Sequence, residues 1–349
     1  MTRRAIGWLL VLLLLVLLLW AWPAAANEPD LSLLGPPAVP TIVSVGFALL
    51  DLNEINERQE TFEFETLITL RWQDDRQAFD PAEAGVQEKY YQGALHVAES
   101  FVGWWPQLGI ENGAGQFEQR GRLLRIQPDG SIHYLYVLHA TAEQPLDLHA
   151  FPFDDQQLVV RMQVLGHRAD EIVLRKLPDA TGVVGQLLNI AGWDLKGISV
   201  EIEESDILHG YRLNQLVTRL HVEREPFHLV ALVVIPLSLL VMLTWSVFWM
   251  DEESLSDRIN ISFIGILSVV AYQFIIQDSM PEISYFTLMD AFLISTLTIV
   301  GLSAVVNLVV DRFNRTGRKE SGDRVDVMCR WIFPVVFVAI NGVCALILV

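Results

Sequence analysis

DRINISFIGILSVVAYQFIIQDS, residues Asp257 to Ser279, is apolar over about the 20 residues that a helix needs to cross a bilayer, yet polar groups stand at chosen places in it. Steps of three and four residues keep side chains on one face of a helix. Such steps join Asp257, Asn260, Ile264, Leu267, Ala271, Phe274 and Asp278. The stripe is polar at both ends and apolar between them. If several copies lined a pore, the ends would handle a hydrated ion, and rings of Ile264, Leu267 and Phe274 would form a constriction that closes by dewetting. An apolar stripe at this spacing is also the seam by which membrane helices pack together. The helix alone leaves both readings open.

Working outward, the chain of 349 residues has room for one sizeable folded domain and a small membrane bundle. It begins with Thr2-Arg3-Arg4, an apolar run from Ala5 to Ala21 and Pro23-Ala24-Ala25-Ala26. A positive end, an apolar centre and a small-residue cleavage site are those of a secretory signal, so 1–26 is expected to be removed. The apolar run is slightly long for a signal, and an uncleaved anchor helix is the alternative. The only cysteines, Cys329 and Cys344, lie near the C-terminus in an apolar segment and are expected to pack as small hydrophobes. The net charge is −18, and residues 27–225 hold 31 acidic and 15 basic side chains. Such a field repels nucleic acid and concentrates cations. No HExxH, CxxC, GxSxG or Walker loop occurs, so neither an enzyme nor a cofactor is expected, and Glu201, Glu203 and Glu204 read as the solvated edge of a strand.

Residues 40–72 alternate apolar and polar side chains in runs rich in Val, Ile, Phe and Thr, and further runs lie near 122–126, 131–139, 157–164, 171–174, 197–203 and 216–223. Turns such as Gln127-Pro128-Asp129-Gly130 separate them, at the spacing of an antiparallel sandwich. One short helix is expected near Ala82 to Gln92. Four apolar stretches of spanning length follow, at about 228–250, 259–276, 285–310 and 331–349. Arg312, Arg315, Arg318, Lys319, Arg324 and Arg330 mark the connection between the last two as cytoplasmic. Trp245, Trp249 and Trp331 suit the membrane interface, and little polarity beyond Asn341 suits the last span to lipid contact.

His149-Ala150-Phe151-Pro152-Phe153-Asp154-Asp155-Gln156, between two strands, resembles the signature loop of the pentameric ligand-gated ion channels. Leu70-Arg71-Trp72-Gln73-Asp74, Trp105-Pro106, Arg224, Pro236 and Trp245-Ser246-Val247-Phe248-Trp249 extend the resemblance over nearly the whole chain. Animal receptors close that loop with a disulfide. Gln144 and Leu158 stand at the matching positions here, which points to the bacterial branch.

The resemblance implies an extracellular immunoglobulin-like sandwich (27–225) that binds ligand, a four-helix transmembrane domain (226–349), and a homopentamer in the bacterial inner membrane with the sandwich in the periplasm. It also implies a cation-selective channel gated by a ligand or by pH. Its pore would be lined by Asn260, Ile264, Leu267, Ala271 and Phe274, and selectivity would come from rings of Glu252, Glu253 and Asp257. Arg258 lies about 100° round the helix from Asp257 and is expected to face away from the ions and neutralise a buried acid. Asp154 and Arg224, with Pro152 and Phe153 of the signature loop, are expected to couple the domains beside the Leu52 to Glu57 turn and the outer loop from Gln277 to Tyr285. Candidate ligand residues are Tyr90, Tyr91, Trp104, Trp105 and Tyr211, although the strand after the signature loop, Arg161 to Leu165, lacks the aromatic that a cage for an amine needs. All eight histidines lie between His96 and His228 among carboxylates, a set able to titrate across physiological pH. A membrane-anchored receptor that does not conduct is the alternative.

Overall fold

The computed structural model describes residues 35–184, 190–208, 211–250, 255–279 and 283–348. The expected signal peptide and the Glu252–Glu253 pair lie outside the described residues. Within the sandwich, alternation determines which side chains enter the core. In β6 (Ser131–Glu143) every second side chain from Ile132 to Ala142 is buried, and β2 (Thr61–Gln73) follows the same two-residue rhythm. The first sheet runs β3 (Lys89–Gln92), β5 (Glu118–Ile126), β6, β2, β1 (Thr41–Asn56) and β8 (Ile172–Lys176), with β9 (Gly182–Val183) also on β1. The second runs β10 (Trp193–Leu208), β11 (Tyr211–Arg224), β7 (Asp155–Val164) and β4 (Leu108–Ile110). Phe47, Phe62, Phe64 and Trp72 of one sheet and Leu158, Val160, Leu216 and Leu220 of the other belong to one buried cluster.

The strands expected from alternation are present, and the short β3, β4 and β9 join them. The single helix expected near 82–92 is corrected by the structure. Asp80 caps one turn, Pro81–Ala84, which stops at Gly85 with φ 68°. β3 then pairs with β5, and a separate helix covers Ala94–Ser100. A left-handed glycine ends a helix at little cost, and Tyr90 and Tyr91 find strand partners beyond it. At the 127–130 turn, the Gly130 N–H donates to Gln127 O and the Asp74 N–H to Gly130 O, both at 3.0 Å. Gly130 has φ 84°, and a Cβ there would stand 2.6 Å from Asp74 O, so both conformation and space require glycine.

Four helices are long and apolar enough to span a membrane: Phe227–Trp249, Ser256–Ile276 within Leu255–Ser279, Leu288–Arg315 and Lys319–Leu348. In the first, the Ile235 N–H donates to Val230 O, a π turn directly before Pro236. Proline has no N–H for the carbonyl four residues back, and a widened turn accommodates that gap. The fourth helix starts at Lys319, well before Trp331, and the basic connection contracts to a turn with Gly317 at φ 77°. Hydropathy marks only the apolar part of that helix, while Lys, Glu and Arg continue it as good helix formers. Trp249 and Trp331 are exposed, but Trp245 is buried edge-on against Phe337, a packing role rather than the expected interfacial one.

Candidate functional site

In the second membrane helix, Arg258, Ser262, Gly265, Val269 and Ile276 are buried. The spacing of four, three, four and seven residues is that of a packing seam. A Cβ on Gly265 would stand 2.7 Å from Thr244 Cγ2 and 2.8 Å from Val300 Cγ1, so this face meets the first and third helices closely. Asp257, Asn260, Ile264, Leu267, Ala271 and Phe274 occupy a different face and are exposed in the single subunit, Leu267 at 71%. The intrasubunit seam and the polar-ended stripe are thus two faces of one helix. The side chain of Asp278 lies outside the described residues.

Arg258 is 2% exposed. Its Nη2 donates to Asp326 Oδ2 of the fourth helix at 2.8 Å, and its Nε to Val247 O of the first at 3.0 Å. Arg330 Nε donates to Phe248 O at 2.8 Å, with its guanidinium over the Trp249 ring. Two arginines from other helices therefore donate to carbonyls at the end of the first, where backbone acceptors run short of helical donors; Val247 O also accepts from the Met250 N–H at 3.2 Å. Asp326 and Arg330 were missed from sequence because they fall in a stretch read as a loop; their spacing of four residues is the available helical signal.

At the junction of the domains, Arg224 donates to Asp154 through Nε (2.7 Å) and Nη2 (3.2 Å), and to Glu57 through Nη1 (2.6 Å). Its guanidinium also lies 4.1 Å from the Trp193 ring centroid and 4.7 Å from that of Phe151. Gln156 Nε2 donates to Asp154 Oδ2 and to Asp147 O, joining the signature loop to the pair. Pro152 is buried in that loop and Phe153 is half exposed. The loop also grips the membrane domain. The Leu148 N–H donates to the Tyr285 hydroxyl, which donates to Leu146 O, each at 3.1 Å. The Leu288 N–H, in the first turn of the third helix, donates to His149 O at 2.9 Å, and the His149 and Tyr285 rings stack at 4.0 Å. Leu52 to Asn56, expected as part of a turn, still belongs to β1, whose ladder with β2 continues to Asn56–Thr61.

Of the candidate ligand residues, Trp104 is buried edge-on against Trp72 and His167, and Tyr91 packs on Phe101, which meets Trp105. Tyr90 is exposed, with Arg125 over its ring. Trp104 and Trp105 share a cleft with His167; the Tyr211 side chain lies outside the described residues. Among the histidines, burial first, then Arg71 and Arg125 on neighbouring strands, holds His133 below its ordinary pKa. A hydrogen bond from His149 holds the Asp147 carboxyl below the usual carboxylate range. Cys329 and Cys344 are free, and no group of potential metal ligands occurs among the described residues.

A two-sheet sandwich whose signature loop is hydrogen-bonded to Tyr285 and to the third of four membrane helices, the second of which leaves a stripe with Asp257 and Asn260 at one end uncovered, is the architecture of a gated channel subunit. The chain belongs to the neurotransmitter-gated ion channels. Their ligand-binding-domain model matches residues 34–226, and their transmembrane-region model residues 233–324. It is a subunit of a gated membrane channel with an extracellular ligand-binding domain, in a family of pentamers. Similar proteins include the proton-gated ion channel of Gloeobacter violaceus, 25% identical over 94% of this chain and 89% of that one. The gamma-aminobutyric acid receptor subunit theta of Mus musculus is 25% identical over 76% of this chain and 41% of its own length. The subunit beta of that receptor in Lymnaea stagnalis is 23% identical over 75% of this chain and 54% of its own. The chain thus spans about half the length of these animal receptors.

Proposed function

We propose that five copies of this chain form a cation-selective channel in a bacterial inner membrane, with the sandwich in the periplasm and lipid around the outer helices. The second membrane helix of each copy lines the pore through Asn260, Ile264, Leu267, Ala271 and Phe274. The observation that carries this reading is the exposed stripe from Asp257 to Phe274, polar at its Asp257 and Asn260 end, on a helix whose opposite face is already buried in its own subunit. In a ring, that stripe has water or a neighbouring copy to face. Ile264, Leu267 and Phe274 supply the hydrophobic gate, and Asp257 with Glu252 and Glu253 the acidic rings that favour cations. Arg258 is held away from the ion path by Asp326, so its charge does not cancel the Asp257 ring. Arg224, Asp154 and Glu57 transmit the opening signal, with Pro152 and Phe153 in the loop that rests on Tyr285.

Protons or a small ligand open the pore. Likeness to a proton-gated channel and the titratable groups of the sandwich support the proton. The test is voltage clamp of the full chain in cells, with external pH stepped in both directions before any ligand is added. A pH-evoked current that reverses near the cation equilibrium potential is expected. Reversal near the anion potential would overturn the selectivity, and silence at every pH with channel shown at the surface would overturn the proton as agonist. Leu267→Thr, which wets the gate, should raise leak or shift activation toward weaker stimuli; an unchanged activation curve would place the gate elsewhere.

A further inference from the structure

On the outer face of the first sheet, one row of side chains runs across five strands. The ladders set Ser44 of β1 opposite Arg71 of β2, Arg71 opposite His133 of β6, His133 opposite Arg125 of β5, and Arg125 opposite Tyr90 of β3. Leu70, Trp72, Ile132, Tyr134, Leu124 and Ile126, their neighbours along the strands, are buried in the core, so alternation turns the row outward. Strands lie about 4.8 Å apart, which puts Arg71 and Arg125 about 10 Å from each other with His133 between them. The long arginine stems can close on one point from both sides.

Such a row runs against its surroundings. Like charges directly opposite on neighbouring strands repel, and residues 27–225 hold 31 acidic against 15 basic side chains. Nearer the membrane end of β1 and β2, Asp51 stands opposite Glu65 and Glu54 opposite Glu63, and Glu63 takes His139 as a partner at 3.1 Å. The basic row lacks that balance. The Nε atoms of Arg71 and Arg125 are shut off from solvent without a hydrogen-bond partner, and Arg71 forms no ion pair among the described residues. Arg125 has only a share of Glu88, whose Oε2 lies 3.6 Å from its Nε and also accepts from the Tyr90 hydroxyl. Burial first, then Arg71 and Arg125, hold His133 below its ordinary pKa, while Glu88 and Asp129 of the nearby turn pull it upward.

We propose that this row binds a small tetrahedral oxyanion of the sulfate or phosphate class. Four oxygens spread in three dimensions accept from Arg71, Arg125 and protonated His133 together, whereas a carboxylate has two oxygens in one plane and suits a single guanidinium fork. The anion relieves the repulsion between the opposed cations and gives the two buried Nε–H groups an acceptor. It also stabilises the charged imidazole, so binding takes up a proton at His133. Ser44 and Tyr90 bound the row at its two ends.

The test is isothermal titration calorimetry of sulfate into the purified full-length channel near pH 6.5, about the ordinary histidine value, at fixed ionic strength, with phosphate and acetate as parallel probes. Saturable sulfate binding, one per subunit, is expected, with phosphate comparable and acetate about tenfold weaker or more. Arg71→Gln should weaken sulfate about tenfold or more, the loss of a charge-assisted bond. Arg71→Lys, which keeps the charge without the fork, should weaken it less and serves where the glutamine variant does not assemble. Titrations in buffers of different ionisation enthalpy should show proton uptake on binding, lost in His133→Gln. Absence of saturable binding would overturn the site, and is the result if a carboxylate of a neighbouring copy covers the row; equal affinity in wild type and the Arg71 variants would overturn it too. Acetate as tight as sulfate would refute the tetrahedral class, and unchanged uptake in His133→Gln would remove His133 from the site. Calorimetry needs no open pore, so its outcome is independent of the selectivity and gating proposed above.

Discussion

Arg224 has 5% of its side chain exposed and two carboxylates within hydrogen-bond reach. Removing one partner of a buried pair strands a charge and costs about 3–5 kcal/mol; Glu57 remains to share that burden. Asp154→Asn is therefore expected to assemble in reduced amount and to respond more weakly per channel. Surface labelling beside macroscopic current separates the two effects, and a current that falls only in proportion to surface number would reduce the pair to a folding role. His133 gives a signed pH effect. An unfolded histidine titrates near about 6.5, and the folded one lower, so between the two values the unfolded chain binds more protons. Stability falls as pH drops through that window and levels off below the lower value. Asp147 acts lower down: its contribution is full above the unfolded carboxylate value, about 3.9, and is lost as pH falls through the folded one. His133→Gln should flatten the decline in thermal midpoint between about pH 7.5 and 5.5; an identical decline would assign it to other groups.

The second membrane helix shows how far periodicity reads an element. The polar-ended stripe was legible as a face because three-and-four spacing is intrinsic to helices. That a second stripe, starting one residue later at Arg258, is the seam depends on the neighbours Thr244 and Val300. Gly265→Leu tests the division. Overpacking costs typically about 1–3 kcal/mol, so fewer channels should reach the membrane, while the reversal potential of those that do should not move. A shifted reversal potential would mean that Gly265 faces the ions. The fourth helix was legible only in its apolar part, since hydropathy sees the lipid and not the backbone that continues through Asp326 and Arg330.

In the proposed pentamer, the acidic balance of the sandwich and the exposed Asp257 would both draw cations toward one axis. Asp257→Asn removes one carboxylate per copy, five in a ring, and should lower the cation-to-anion permeability ratio and the conductance without altering the pH of half-activation. A ratio equal to wild type would transfer selectivity to Glu252 and Glu253. The domains are joined by packing as well as by the hydrogen bonds of Tyr285 and Leu288, because Val233, Leu237, Val269, Ile276 and Met289 belong to the same buried cluster as the sandwich core.

Strands, spans and their order follow from local chemistry. Alternation places every second side chain of β6 inside, and apolar length sends four helices into lipid, whatever the rest of the chain does. Partnership is another matter. Arg224 and Asp154 are 70 residues apart and Arg258 and Asp326 are 68, and no spacing between them announces a bond. The bulge at Gly121 and Arg122 of β5 arises where two strands fail to match in register. Periodicity is a property of one segment, legible wherever the backbone repeats, whereas the pairing of charges and the shape of a cavity exist only once distant segments are brought together.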